Sequence, residues 1–204
     1  MSIRNQWAAP AAAAVAVLVA ACGGGPAAVP AAPAAVQSAP PTAAAQAAGV
    51  AVAPSPPPGT TRIEAEGLAT RSTTHDPVGP QPDCCGVRWS AGRQLWFRAQ
   101  GAGRAVDLAF DVARDGTYRV DVVVTLAPDY GIISLGLDGQ TRVSGFDAYV
   151  PGSVGRSVEI APVTLGTAIP LRAGAHTLTV TVTGRNPASA STFAGVDYLD
   201  LTPG

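Results

Sequence analysis

The stretch RAVDLAFDVARDGTYRVDVVVTL, residues 104 to 126, decides the fold class. Val106, Leu108, Phe110 and Val112 alternate with Asp107, Ala109 and Asp111, and Tyr118, Val120, Val122, Val124 and Leu126 form a second stripe of the same kind. A period of two belongs to a half-buried strand. ARDG, residues 113 to 116, reads as a tight turn with Gly116 free to take positive φ, so the pair predicts an antiparallel hairpin. The same alternation recurs in TRIEAEGL (61 to 68), QLWFRA (94 to 99), GIISLGLDG (131 to 139), RSVEIAPVTLG (156 to 166, broken by Pro162), AHTLTVTVTG (175 to 184) and GVDYLDL (195 to 201). The RAGAH turn before Ala175 opens a further hairpin arm. Many short strands with Gly, Pro and Asp turns, and no long amphipathic helix, predict an all-β antiparallel β-sandwich, most simply a jelly roll.

Ahead of this region the chain changes character. MSIRNQWAAPAAAAVAVLVAAC has one basic residue, Arg4, and then an apolar run from Ala8 to Ala21. That run is too short for a spanning helix of ~20 residues, and it reads as an export signal. It ends in Leu18-Val19-Ala20-Ala21-Cys22, which resembles the bacterial lipobox; residues 1–22 are then a signal peptide, with Cys22 the lipidated residue. An ordinary signal peptide with an incidental cysteine is the alternative. Residues 23–59 carry nine prolines and no charge, among Ala, Gly, Val, Ser, Thr and Gln. Lacking large apolar side chains to bury, they predict a disordered tether, with the folded domain at 60–204. These features place the protein as an exported lipoprotein of the cell envelope, at the outer membrane or cell surface, touching the membrane only through its lipid.

Charge excludes one class of partner. The chain has 13 basic and 14 acidic residues, a formal net charge of −1, and no lysine at all. Nothing in it offers nucleic acid a basic stripe.

RIEAEGL, GTYRV, LDG, LRAGAHTLTVTVTG and the closing GVDYLDL, in this order and spacing over nearly all of 61 to 202, resemble the calcium-containing jelly-roll carbohydrate-binding modules of the galactose-binding-domain-like superfamily. DYGIISLGLDG and GRNPAS are similar to a subgroup found beside sugar-cleaving enzymes or as free-standing exported domains. The resemblance implies a glycan or polysaccharide partner and a structural Ca²⁺, and the protein is expected to be a monomer.

Two constellations fit that expectation. Glu64 and Glu66, at i and i+2, would share one face of the first strand and repel each other. With no lysine available, a cation is their natural partner, and Ca²⁺ takes hard oxygen ligands. The resemblance implies that a carboxylate of the last strand completes the set: Asp197, with Asp200 second. Alternation puts Asp197 on the side of Leu199 and Leu201, so it must be bound or lie at a bulge. Two solvated glutamates and a turn-capping aspartate are the alternative. For the sugar, flat C–H faces need an exposed ring beside polar side chains. Tyr130 and Asp129 sit at a sheet end, Trp89 offers a platform, and the resemblance points to Asn186 in the last long loop, with Arg185 as a further addition. Asn186 pinning its own loop is an equal alternative. Trp96 alternates with Leu95 and Phe97, so either it or that pair is buried.

Catalysis has little to work with. A glycosidase needs two carboxylates flanking a cleft, whereas the domain has three glutamates, two of them already assigned to a cation. His75 and His176 lack metal spacing or a triad partner, and no nucleophile elbow is present. A non-catalytic module is the reading; a module of the same fold that binds protein or cell wall is the alternative. Cys84 and Cys85 are the remaining thiol pair. Their compartment lets disulfides persist, but adjacent residues are ~3.8 Å apart at Cα, below the ~4.4–6.8 Å of ordinary bridges. A vicinal disulfide, forming a rigid apolar plate four residues before Trp89, and two free thiols both stay open.

Overall fold

The computed structural model describes residues 50–72, 74–152 and 158–204. The chain divides into two units, Met1–Ala44 and Ala45–Gly204, and the described residues all belong to the second. The signal peptide, Cys22 and residues 23–49 of the tether lie outside them, as do residues 156 and 157 of one expected strand.

Among the described residues there is no α-helix. The strands are β1 (Ala51–Val52), β2 (Thr61–Glu64), β3 (Ala69–Ser72), β4 (Val78–Pro82), β5 (Val87–Arg88), β6 (Arg93–Phe97), β7 (Ala105–Val112), β8 (Gly116–Leu126), β9 (Ile132–Leu137), β10 (Gln140–Asp147), β11 (Glu159–Leu171), β12 (Gly174–Gly184) and β13 (Ala194–Pro203). One sheet runs β10-β9-β12-β7-β3; the other runs β11-β8-β13-β6-β4, with β2 also paired to β13. The ladders within both sheets are antiparallel. The sequence expectation of an all-β antiparallel jelly-roll sandwich holds.

Its local pairing does not. β7 and β8 form no hairpin: β7 lies between β12 and β3, while β8 lies between β11 and β13 in the other sheet. Their apolar stripes meet face to face across the core, where Val106, Leu108, Phe110, Val112, Val120, Val122 and Val124 are buried. At ~3.5 Å per residue, Ala113 to Asp115 just span the ~10 Å between packed sheets. Gly116 is not in the left-handed region either. A Cβ there would lie 3.1 Å from Tyr118 Cε2, so glycine makes room for a ring. The link from β11 to β12 also changes sheet instead of closing a hairpin. The two crossings brace each other, Ala173 N–H donating to Asp115 Oδ1 at 2.7 Å. The true hairpin is β9–β10, turned by Asp138 and Gly139 at φ 50° and 77°, both positive as a type I′ turn requires. β11 runs unbroken through Pro162. It is an edge strand, where a residue without N–H is tolerated.

His176, on β12 beside this turn, has acceptors on both ring nitrogens: Asp138 Oδ2 at 2.7 Å from Nδ1 and the Arg172 carbonyl at 2.8 Å from Nε2. Its ring stacks on Phe110. Burial works against the charge, but the Arg172 carbonyl and Asp138 outweigh it and raise the pKa above the ordinary value. A raised pKa in the folded state gives stability that is complete below the unfolded value of ~6.5 and fades as pH rises through the folded one. Urea titrations should therefore show His176→Gln costing more at pH 5.5 than at pH 9. Equal losses at both would contradict the charged pair.

Candidate functional site

A second apolar cluster, separate from the core, contains Val87, Trp89, Ala127, Tyr130, Ala148 and Val158, with Cys84, Trp96 and Phe193 packed against it. It forms because β6 alternates. Leu95 and Phe97 enter the sandwich core, so Gln94 and Trp96 face the other way. That answers the question left by the sequence: the Leu95/Phe97 pair is fully buried and Trp96 half-buried.

Over this cluster opens a pocket of about 320 Å³, walled by Cys84, Cys85, Trp89, Trp96, Pro128 and Tyr130, with Gln81, Gln94 and Asp129 as polar groups. A buried chain of hydrogen bonds sets its floor. Trp89 Nε1–H donates to Thr125 Oγ1 at 3.0 Å, and Thr125 O–H donates to Gln94 Oε1. Gln94 Nε2–H donates to Tyr130 Oη at 3.0 Å and Gln81 Oε1 at 2.6 Å. With their polar atoms engaged there, Trp89 and Tyr130 line the pocket with ring carbon but are not the exposed rings expected, each being only 4% exposed, and the half-buried Trp96 shows the larger face. Burial pushes the Tyr130 phenol well above its usual range, against the hydrogen bond from Gln94. Trp96 is different: its Nε1–H is buried with no partner. Loss of solvent also raises the Asp129 carboxyl pKa above its ordinary value. The pocket thus offers aromatic surface and one carboxylate acceptor.

The cysteines are joined in a disulfide between adjacent residues. Cys84 to Val87 form a tight turn, Val87 N–H donating to the Cys84 carbonyl at 3.0 Å, with Cys85 and Gly86 at φ 59° and 85°. Asp83 holds the loop, accepting from Trp89 N–H at 2.9 Å.

Trp89, Asp129 and Tyr130 therefore come together with both cysteines, while Asn186 stands apart. Its Nδ2–H donates to Asp147 Oδ2 at 2.6 Å and its Oδ1 accepts from Ala188 N–H at 3.0 Å. Arg185 Nη1–H donates to the Ser189 carbonyl at 2.8 Å. That loop braces the site from behind, Ser189 O–H donating to the Tyr130 carbonyl. Gln81 and Gln94 complete the pocket without having stood out in the sequence as binding residues, and Trp96, an aromatic candidate whose burial the sequence left open, joins them.

The acidic residues gather at a neighbouring point. Glu64 ends β2, and Glu66 lies on a 3₁₀ turn, Ala65–Gly67, not on the same strand face. The chain turns because Ala65 is drawn into the core. Asp197 lies where the β13–β8 register slips between Val196 and Tyr198, the bulge its burial demands. Ser90 bridges two of them, donating O–H to Glu64 Oε1 at 2.7 Å and N–H to Asp197 Oδ1 at 2.9 Å. Among the described residues no group of three or more His, Cys, Asp or Glu is drawn tightly enough to hold a metal as it stands. Yet Glu64 Oε2, Glu66 Oε2 and Asp197 Oδ2 are all buried without a partner. Carboxylate oxygens only accept, so a proton or a cation must face them. Burial first, then Glu64 and Glu66, push the Asp197 carboxyl up to about 8, against the Ser90 N–H. Three hard oxygens meet the chemistry of Ca²⁺. Asp200 is not among them, being held by Arg62 through Nε at 2.9 Å and Nη2 at 2.8 Å.

No protein-family model matches the chain, and no curated protein matches it. Among solved structures, a xanthan lyase of Paenibacillus matches 74% of this chain and 14% of its own, at 25% identity and TM-score 0.60. A GH26-CBM35 β-(1,4)-mannanase of Podospora anserina matches 72% of this chain and 28% of its own, at 16% identity and TM-score 0.47. A CBM35 of Paenibacillus barcinonensis matches 71% of this chain and 99% of its own, at 17% identity and TM-score 0.46. The chain thus spans about a seventh of the lyase and less than a third of the mannanase. The class these observations define is a jelly-roll β-sandwich with a small aromatic pocket over one sheet.

Proposed function

We propose that the chain is a non-catalytic carbohydrate-binding module, displayed by a lipid-anchored exported protein as a monomer and steadied by one structural Ca²⁺. The observation that carries the sugar reading is the pocket itself. Ring carbon from Trp89, Trp96 and Tyr130 suits the C–H faces of a sugar. The Asp129 carboxylate suits its hydroxyls, which donate. At about 320 Å³ the pocket is at the small end of ligand sites, a size for the end of a glycan chain. The likeness to part of a Paenibacillus xanthan lyase agrees with this reading. The Ca²⁺ reading rests on the three orphaned carboxylate oxygens; Glu64, Glu66 and Asp197 would hold the ion, which would supply the positive charge that their burial lacks.

A glycan array probed with the tagged protein tests the function, followed by tryptophan fluorescence on the strongest hit. Trp96→Ala is expected to weaken that hit by about 2 kcal/mol, roughly thirtyfold, with the melting temperature little changed. Unaltered affinity would remove Trp96 from the site. Binding to no glycan, with a protein partner recovered by pull-down, would favour a protein-interaction module of the same fold.

A further inference from the structure

We propose that the Cys84–Cys85 disulfide is a ligand-contacting wall of the pocket, so that the site takes sugar in its oxidised form and loses it on reduction. This rests on the sugar reading and adds to it a specificity element and a chemical condition. Both cysteines line the pocket beside Trp89 and Trp96. Cys84 packs on the aromatic cluster, and Cys85 is exposed, so a reagent can reach the bond. The bridge presents two sulfurs as an apolar surface, and sulfur meets ring and C–H surface favourably.

The turn explains why the wall depends on the bond. Cys85 sits at φ 59° with Gly86 at 85°, a pairing that hairpin turns normally fill with Asn-Gly or Asp-Gly. Cysteine has no preference for the left-handed region; the link to its neighbour holds it there. A dithiol reductant gives two electrons and two protons. The S–S bond breaks, Cys84 and Cys85 become thiols, and the reductant closes into its own disulfide. Cys85 is then free to leave the left-handed region. One wall of the pocket is lost, and so is the register of the loop that Asp83 fastens to Trp89.

The test compares three proteins on the best glycan-array hit: wild type as purified, wild type in dithiothreitol, and the double variant Cys84→Ser/Cys85→Asn. The variant gives the turn the Asn-Gly it would otherwise favour, without sulfur. Mass measurement after native alkylation confirms the bridge in the first sample. Affinity is expected to fall at least about tenfold in both the second and third samples. Equal affinity before and after reduction overturns the inference and leaves the sugar reading intact. Loss on reduction with full affinity in the variant also overturns it, since the bond would then act only through turn shape. An oxidised protein that binds no glycan removes the reading and the inference together.

Discussion

Gly195→Ala is expected to lower stability by roughly 2 to 4 kcal/mol, seen as a fall in melting temperature of roughly 6 to 12 °C at ~3 °C per kcal/mol. Gly195 sits on β13 opposite Trp96 of β6. A Cβ there would fall 2.2 Å from Gln94 Oε1 and 2.9 Å from Tyr130 Oη. A flexible side chain could ordinarily swing aside. Gln94 is fully buried and held by Thr125, Tyr130 and Gln81 at once, so moving it breaks three of the four bonds of the pocket floor, all but the one from Trp89 to Thr125. The substitution should therefore also weaken ligand binding, though residue 195 does not line the pocket. A melting temperature within a degree of wild type would show that the amide network is softer than its geometry.

Calcium at about a hundred times its dissociation constant should stabilise the protein by ~2.7 kcal/mol, or roughly 8 °C. On the proposed calcium reading, the ion would compete with the proton on Asp197, whose carboxyl burial pushes up to about 8. A carboxyl whose folded pKa is raised gives stability that is complete below its unfolded value of ~3.9 and is lost as pH rises to the folded one. The metal-free protein should accordingly weaken between pH 4 and 8 on this account. The calcium gain should grow over the same interval, because ligands bind metal deprotonated. Differential scanning calorimetry at pH 5 and pH 8, with calcium and with a strong chelator, measures both. Identical curves at both pH values would rule the ion out, and Asp197→Asn should abolish the difference in either case.

Alternation told which side of each strand is apolar, and with it the sandwich. It did not tell which strand lies beside which. Val106 to Val112 and Val120 to Val124 carry the same stripes whether they lie edge to edge in a hairpin or face to face across a core. The discriminating signal was in the turns: Asp138-Gly139 has the residues of a tight hairpin, whereas ARDG lacks that pair of left-handed positions. At the site, the conflict at Asp197 was legible, since a carboxylate on an apolar stripe implies a slip in register. Glu66 was misplaced because a buried Ala65 bends the chain, and one small residue gives no warning of that. Trp96 was a candidate whose face stayed open, and weighing two apolar neighbours against one would have placed it on the pocket side. Gln94 could not have been found, because a buried glutamine reads in sequence like any surface residue. Asn186 is bound within its own loop and to Asp147, a partner that only the fold brings near.

β1 pairs in parallel with β5 through just two residue pairs, Ala51 with Val87 and Val52 with Arg88, while Arg62 Nη1–H grips the Pro54 carbonyl behind it. β5 lies between the cysteine turn and Trp89. A mechanical pull on the chain ahead of residue 50 is therefore borne first by the loop that shapes the pocket, and only afterwards by β2, which β13 holds through four residue pairs. Load and any bound ligand would act on the same few residues, so tension on the protein and occupancy of the pocket should each be felt by the other.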